Sequence, residues 1–466
     1  MFAAPDLPLL LFVCHDLGGG TNKHVHELAG LLSNSANVLL LQSGELRSQI
    51  KISSLTHEIV PPLYFRMDKE YSSLLALLNN LGVRRVHYHH TLGIAPSILG
   101  MYGDLKVPHD FTIHDYYFAC PQVHMVAKDG RYCGEKGEFQ CHECLRERPA
   151  PGNVNIRAWR AKYSRLVQSA ERVFAPSNDA ALRFQRYYPD CNVVIANHPD
   201  LSNADHKEIK VFPLSAEEPL RVVVLGTMTR SKGLEVLEGC AENAKTNGLP
   251  LIFHLLGEPY RTASKRSMGQ LRVHGKYREE DLSILLNNLQ PHLVWFPAQC
   301  PETYSYTLSA CFLHGLPVVG PNLGAFTERL SGRAWSWVIP WDLSAGQINE
   351  FFVTVRLNHF LSQSPPRQST ARKPPFGAPF NYGRDYLKSD QANTVPMLWQ
   401  CHEQLSIMIN EHKSPARGFV QLLERYFRRI GKTLFLKAKR SDVLRRSMEF
   451  VPLRWRTRLA NQLRGN

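Results

Sequence analysis

Long apolar runs are missing from this 466-residue chain. None approaches the roughly 20 residues that a bilayer-spanning helix needs, so no such helix is expected. A leader pattern is missing too. The opening stretch LPLLLFVCH has no basic n-region, has Asp6 before it and Pro8 within it, and ends without a small-residue cleavage site. It reads as a buried first strand and the protein as cytoplasmic. Cysteine is too scarce for a disulfide scaffold, with ten in the whole chain. Charge is scarce in the body as well. Residues 413–466 hold 15 Lys and Arg against 3 Asp and Glu, so this tail carries 12 of the 14 net positive charges. A nearly neutral body with a basic appendage points to an anionic surface as partner.

The body itself is long enough for two cores. Apolar, β-branched stretches at 9–14, 37–41, 84–90, 110–115, 172–177 and 192–198 read as strands, with an apolar-periodic helix through Val25, Leu28, Ala29 and Leu32 and another at 178–188. The pattern restarts at LRVVVLG (220–226), followed by a helix from about Gly233 and strands LIFHLLG, LRVHG, HLVWFP and LPVVG. Alternation of this kind predicts α/β architecture with doubly wound parallel sheets. Residues 1–205 are assigned to an N-terminal Rossmann-like domain and 206–380 to a C-terminal one. A late helix falls at 381–412 and the basic tail at 413–466.

Open parallel sheets bind ligands at the carboxyl ends of their strands, so the segments that follow the strands matter most. Gly18, Gly19 and Gly20 follow the first strand, where the backbone can approach a ligand closely. His24 and His26 come next, either facing a cleft or lying on the helix surface, with the surface slightly favoured. In the second half, Gly226 ends a strand and Lys232-Gly233 opens a helix, a placement suited to a diphosphate. Glu302 precedes a helix expected from about Tyr304 to His314, stopped by Gly315 and Pro317. Free N–H groups of Ser305, Tyr306 and Thr307 are placed to cradle phosphate, leaving Glu302 to accept hydrogen bonds from sugar hydroxyls. Ser177 is expected to cap the helix that follows it.

The stretches LGTMTRSKG, LLGEP, VHGKY, HLVWFPAQCPETYSYTLSACFLHGLPVVG and NLGAFTERL together resemble glycosyltransferase family 4, retaining enzymes of the GT-B fold. The resemblance covers roughly residues 8–412. It implies two Rossmann-like domains facing across a cleft and a nucleotide-sugar donor. It also implies a catalytic pair of His114 and Glu302, both meeting the donor sugar. Lys232 meets the diphosphate, and the loop at Gly19 and Gly20 lies near the donor. No side-chain general base is assigned, because the leaving diphosphate assists the acceptor hydroxyl on the same face, and no metal is required for the chemistry. Members of this type build bacterial surface polysaccharides such as O-antigen. Two positions depart from the pattern. The family's second glutamate, eight residues after Glu302, is Ala310, with Ser309 or a water as candidates to replace it, and the arginine often found after the strand-ending glycine is Thr227.

Two features remain. Cys120-x12-Cys133-x7-Cys141-x2-Cys144 can supply four thiolates to a tetrahedral ion, and structural zinc is the preferred reading, with free or redox-active thiols as the alternative. In the tail, Phe419, Leu423, Tyr426, Phe427, Ile430 and Leu434 share one helical face among Arg425, Arg428, Arg429 and Lys432, and Trp455 sits among arginines. This is the pattern of an amphipathic helix on an anionic membrane surface; a helix packed on the body is the alternative, and no nucleic-acid module is recognised. The sequence therefore supports a retaining hexosyltransferase peripheral to the inner membrane's cytoplasmic face, acting on a lipid-linked glycan. The alternative is a catalytically impaired scaffold, on account of Ala310.

Overall fold

The computed structural model describes residues 7–44, 48–56, 62–200, 208–367 and 379–388. The late-helix residues after 388 and the tail 413–466 lie outside the described residues. None of the described helices is long and apolar enough to cross a membrane.

Eight strands form the first sheet: β1 (Leu9–Val13), β2 (Asn37–Ser43), β3 (Gln49–Ser54), β4 (Leu63–Arg66), β5 (Val83–Tyr88), β6 (His109–Thr112), β7 (Arg172–Ala175) and β8 (Val193–Ile195). Their order is β4-β3-β2-β1-β5-β6-β7-β8. Every residue of β1 is buried, as expected of a strand covered on both faces. Leu9, Leu11 and Val13 enter one apolar layer, while Leu10 and Phe12 enter the layer on the opposite face. β3 and β4 join antiparallel. They were not expected from the sequence, because β3 is short and half polar, with Ile50 and Ile52 inward and Lys51 between them.

The second sheet holds β9 (Leu220–Leu225), β10 (Leu251–Leu256), β11 (Leu271–Gly275), β12 (Leu293–Trp295), β13 (Val318–Pro321) and β14 (Ser336–Ile339). All its pairs are parallel, in the order β11-β10-β9-β12-β13-β14. Apolar layers again cover both faces. Strand order reverses between β1 and β5 in the first sheet and between β9 and β12 in the second, while the strands themselves stay parallel. Two Rossmann-like domains thus present their switch points to each other across a cleft, which is the GT-B arrangement.

The chain then returns to the first domain. Phe380 N–H donates to the Ile195 carbonyl at 2.6 Å, and Tyr382 and Tyr386 enter the apolar layer beneath β1. Arg172 donates to the Tyr386 carbonyl at 2.9 Å and to Asp110 at 2.7 Å, while Arg85 reaches the same carboxylate at 3.1 Å. Asp110 is wholly buried, so its charge is balanced by two guanidinium groups rather than by water.

Candidate functional site

A cavity of about 340 Å³ lies between the two switch points. From the first domain it is lined by Gly20, Thr21, His114 and His198 among others, and from the second by Ser231, Lys232 and residues 300–307. His114 arrives because β6 ends at Thr112 and the chain turns outward there. Lys232 arrives because the turn after β9 closes on Gly233, which has φ of 88° and caps the helix Leu234–Thr246. A Cβ at Gly233 would meet the Pro297 carbonyl oxygen at 1.9 Å, so only glycine allows the lysine loop to lie this close to the β12 loop.

Glu302 sits opposite that lysine. Its Oε1 is 3.5 Å from Lys232 Nζ, and the carboxylate holds the ammonium above the usual lysine range. The Glu302 backbone is clamped from behind. Ala325 N–H donates to the Glu302 carbonyl at 2.8 Å, and a Cβ on Gly324 would lie 2.5 Å from the Glu302 nitrogen and oxygen. The glycine of NLGAF therefore fixes where the carboxylate starts.

The helix after Glu302 spans Tyr306–Leu313, two residues shorter at its start than expected. Ser305, at its N-terminus, has φ of 78°, an unfavourable conformation for a residue with a Cβ. Gly315 lies just past its end with φ of 62°. Ser305, Tyr306 and Thr307 all line the cavity. Gly226 lies behind Thr307, where a Cβ would stand 3.2 Å from the threonine methyl. Gly20 faces Tyr306, its missing Cβ 3.3 Å from the ring, while Gly19 has open space around it. Ser177 caps the helix Asn178–Gln185 by accepting from Ala180 N–H.

The walls are tied together across the cleft. Thr303 Oγ1 donates to the His114 carbonyl at 2.7 Å, Tyr306 OH to Glu27 at 2.9 Å and Tyr304 OH to Asp200 at 2.5 Å. Lys23 pairs with Glu279 at the rim. Sequence reasoning missed these contacts because each joins residues far apart along the chain.

Ala310 is half-buried and packs against the apolar layer of the second domain. The expected stand-in Ser309 is committed elsewhere: it is 2% exposed and accepts from Arg329 Nη2 at 2.8 Å. The same guanidinium donates to the carbonyls of Tyr304 and Ser305 at 2.9 and 2.8 Å and lies 3.8 Å over the Tyr304 ring. Arg329 thus braces the turn that presents the helix tip.

His24 departs from both expectations. It is wholly buried, neither in the cleft nor on the helix surface, and packs against His89, His114 and His198; His26 is exposed. The four cysteines also differ from the zinc reading. Cys141 and Cys144 lie on a formed helix, Glu138–Glu147, and Cys120, Cys133, Cys141 and Cys144 are all free thiols. Among the described residues, no three of their sulfurs come within 4.8 Å of one another. The thiols share a neighbourhood without forming a closed ligand set. Burial pushes the Cys120 thiol up to about 12, and Cys141 is approached instead by Arg160 Nη2 at 3.6 Å.

No family model matches the chain, and no curated protein matches it. Solved structures do. Anabaena Alr3699/HepE in complex with UDP and glucose is 11% identical, with 75% of this chain and 90% of that chain covered and a TM-score of 0.45. The sucrose-phosphate synthase of Thermosynechococcus elongatus is 13% identical, with 87% and 98% covered and a TM-score of 0.48. The lipopolysaccharide outer core galactosyltransferase WaaB, in its apo form, is 9% identical, with 76% and 90% covered and a TM-score of 0.45.

Proposed function

We propose that the protein is a retaining glycosyltransferase that takes a sugar from a nucleotide-sugar donor. The observation that carries this reading is the Lys232–Glu302 pair beside the helix tip, facing His114 across a cavity large enough for a small-molecule ligand. The pair is separable. A diphosphate replaces the carboxylate as partner of Lys232, and the N–H groups at Ser305, Tyr306 and Thr307 take further phosphate oxygens. Glu302 then turns its acceptor sites to hydroxyls of the transferred sugar, and His114 closes the opposite wall. As the glycosidic bond breaks, negative charge builds on the leaving diphosphate, where the ammonium and the helix tip already stand. The acceptor enters on the same face, so configuration is retained.

The acceptor in this reading is a lipid-linked glycan of the O-antigen kind. The concentration of basic residues in 413–466 supports a docking role for the tail on the cytoplasmic face of the inner membrane. A second reading, a binding scaffold without turnover, is favoured by Ala310 and by the engagement of Ser309 with Arg329. Incubation with labelled nucleotide sugars and polyprenyl-linked acceptors separates the two. Labelled lipid product supports transfer. Binding of a nucleotide sugar without release of nucleoside diphosphate supports the scaffold.

A further inference from the structure

Behind the cavity wall the first domain gathers histidines from several elements. His24 comes from the helix Gly19–Leu32 after β1, His89 from the end of β5 and His114 from the turn after β6. One nitrogen from each ring falls within 4.8 Å of the other two. His89 Nδ1 and His114 Nε2 are 3.1 Å apart and hydrogen-bonded to each other, a contact that a shared ion would replace. Two nitrogens on one tetrahedral ion, with bonds of about 2.0–2.1 Å, are separated by about 3.3 Å. His198 completes the knot, its ring centroid 4.2 Å from that of His24 and 5.7 Å from that of His114.

The rings have lone pairs and N–H groups to spare. Both nitrogens of His24, Nε2 of His89 and Nδ1 of His198 are buried without a hydrogen-bond partner. Buried polar atoms are nearly always satisfied, so four orphans in one knot of rings indicate a ligand. The neighbouring His87 is different: it stacks on His89 at 4.0 Å, but its own nitrogens are taken by Tyr386 OH and Thr112 Oγ1. An imidazole nitrogen that carries no proton offers a lone pair to a metal ion.

We propose that His24, His89 and His114 bind one divalent transition-metal ion of the zinc class. The fourth position falls to His198 or to an oxygen from the cavity, which both His114 and His198 line. Imidazole alone, without carboxylate or thiolate, suits zinc and its transition-metal neighbours rather than magnesium or calcium. The ion ties together the ends of β5 and β6 and the first helix, and so stiffens the wall that faces Glu302. It fixes the orientation of the His114 ring. The inference does not depend on the transfer reading, because the four rings belong to the first domain alone.

The test uses the full chain, purified without a polyhistidine tag, stripped of metal and titrated with Zn²⁺ and then Co²⁺. About one equivalent should bind per chain, and cobalt should give visible ligand-field bands without thiolate charge transfer. H24Q and H89Q should each weaken binding by more than the roughly 10–100-fold that loss of an outer-shell partner costs. Joint replacement of Cys120, Cys133, Cys141 and Cys144 by serine should leave binding intact. So should H274Q, which alters a histidine pair in the other domain. Should H24Q fail to fold, the wild-type cobalt spectrum and H89Q decide the matter. The proposal is overturned if folded wild-type protein binds neither metal, if the cobalt spectrum carries a thiolate band, or if only the serine variant loses binding. Metal retained in a protein without transferase activity supports the site and counts only against the transfer reading.

Discussion

Replacing Glu302 by glutamine keeps the side chain's shape and removes its charge. The structure predicts a wide split between what this does to stability and what it does to turnover. Glu302 meets Lys232 at 3.5 Å, but the lysine side chain is 44% exposed. Solvent screens such a pair, and exposed pairs contribute about 0–1 kcal/mol. The backbone clamp from Gly324 and Ala325 does not involve the carboxylate. The melting temperature should therefore move by no more than about 2–4 °C. In the proposed transfer the carboxylate holds sugar hydroxyls as charge separates. Losing one preorganised group of this kind costs roughly 10²–10³ in kcat, or about 2.7–4 kcal/mol. The assay is release of nucleoside diphosphate and labelled product, read beside a thermal melt of the same sample. Turnover within threefold of wild type would refute the role given to Glu302. So would a lost activity that merely tracks unfolding.

Gly324→Ala tests the clamp. The added Cβ has no room against the Glu302 backbone, so stability should fall by about 1–3 kcal/mol and kcat/KM by up to about 10²-fold through misplacement of the carboxylate; urea melts and kinetics check both. Asp110→Asn leaves the buried Arg172 guanidinium against a neutral partner, while Arg85 keeps the Glu171 carboxylate at 3.0 Å. Denaturant unfolding should show a loss of about 3–5 kcal/mol. Acid stability follows from burial, which drives His15, His254 and His292 down to about 4. The unfolded chain takes up these protons near pH 6.5 while the folded one refuses them, so stability should fall with decreasing pH. Each group should contribute up to about 2 kcal/mol of loss between pH 6.5 and 5. A flat stability profile across that window would contradict the burial argument.

The strands that carry the site were legible because their runs are apolar and end in glycine or proline. LRVVVLG and LPVVG became β9 and β13, and Gly315 stops the intervening helix as its position suggests. Lys232 and Glu302 could both be proposed for one ligand site because each follows a strand, where open parallel sheets bind ligands. The partners that lock them in place were not legible. Tyr306 meets Glu27 across 279 residues of chain, and no local pattern encodes that. Nothing in the sequence around Arg329 signals its bonds to Tyr304, Ser305 and Ser309. The histidine knot had a faint signal, since His89, His114 and His198 each follow a strand of the same sheet. The cysteine spacing misled for a geometric reason: ligand spacing was read from a segment expected to be irregular, and two of its four cysteines stand on a formed helix.

The most direct measurement is thermal stabilisation of the wild type and of Lys232→Ala by a panel of nucleotide sugars. The account predicts that at least one compound, at 100 times its dissociation constant, raises wild-type stability by about 2.7 kcal/mol and that the variant loses most of this gain at the same concentration. Absence of stabilisation by every nucleotide sugar, or equal stabilisation of both proteins, would contradict it.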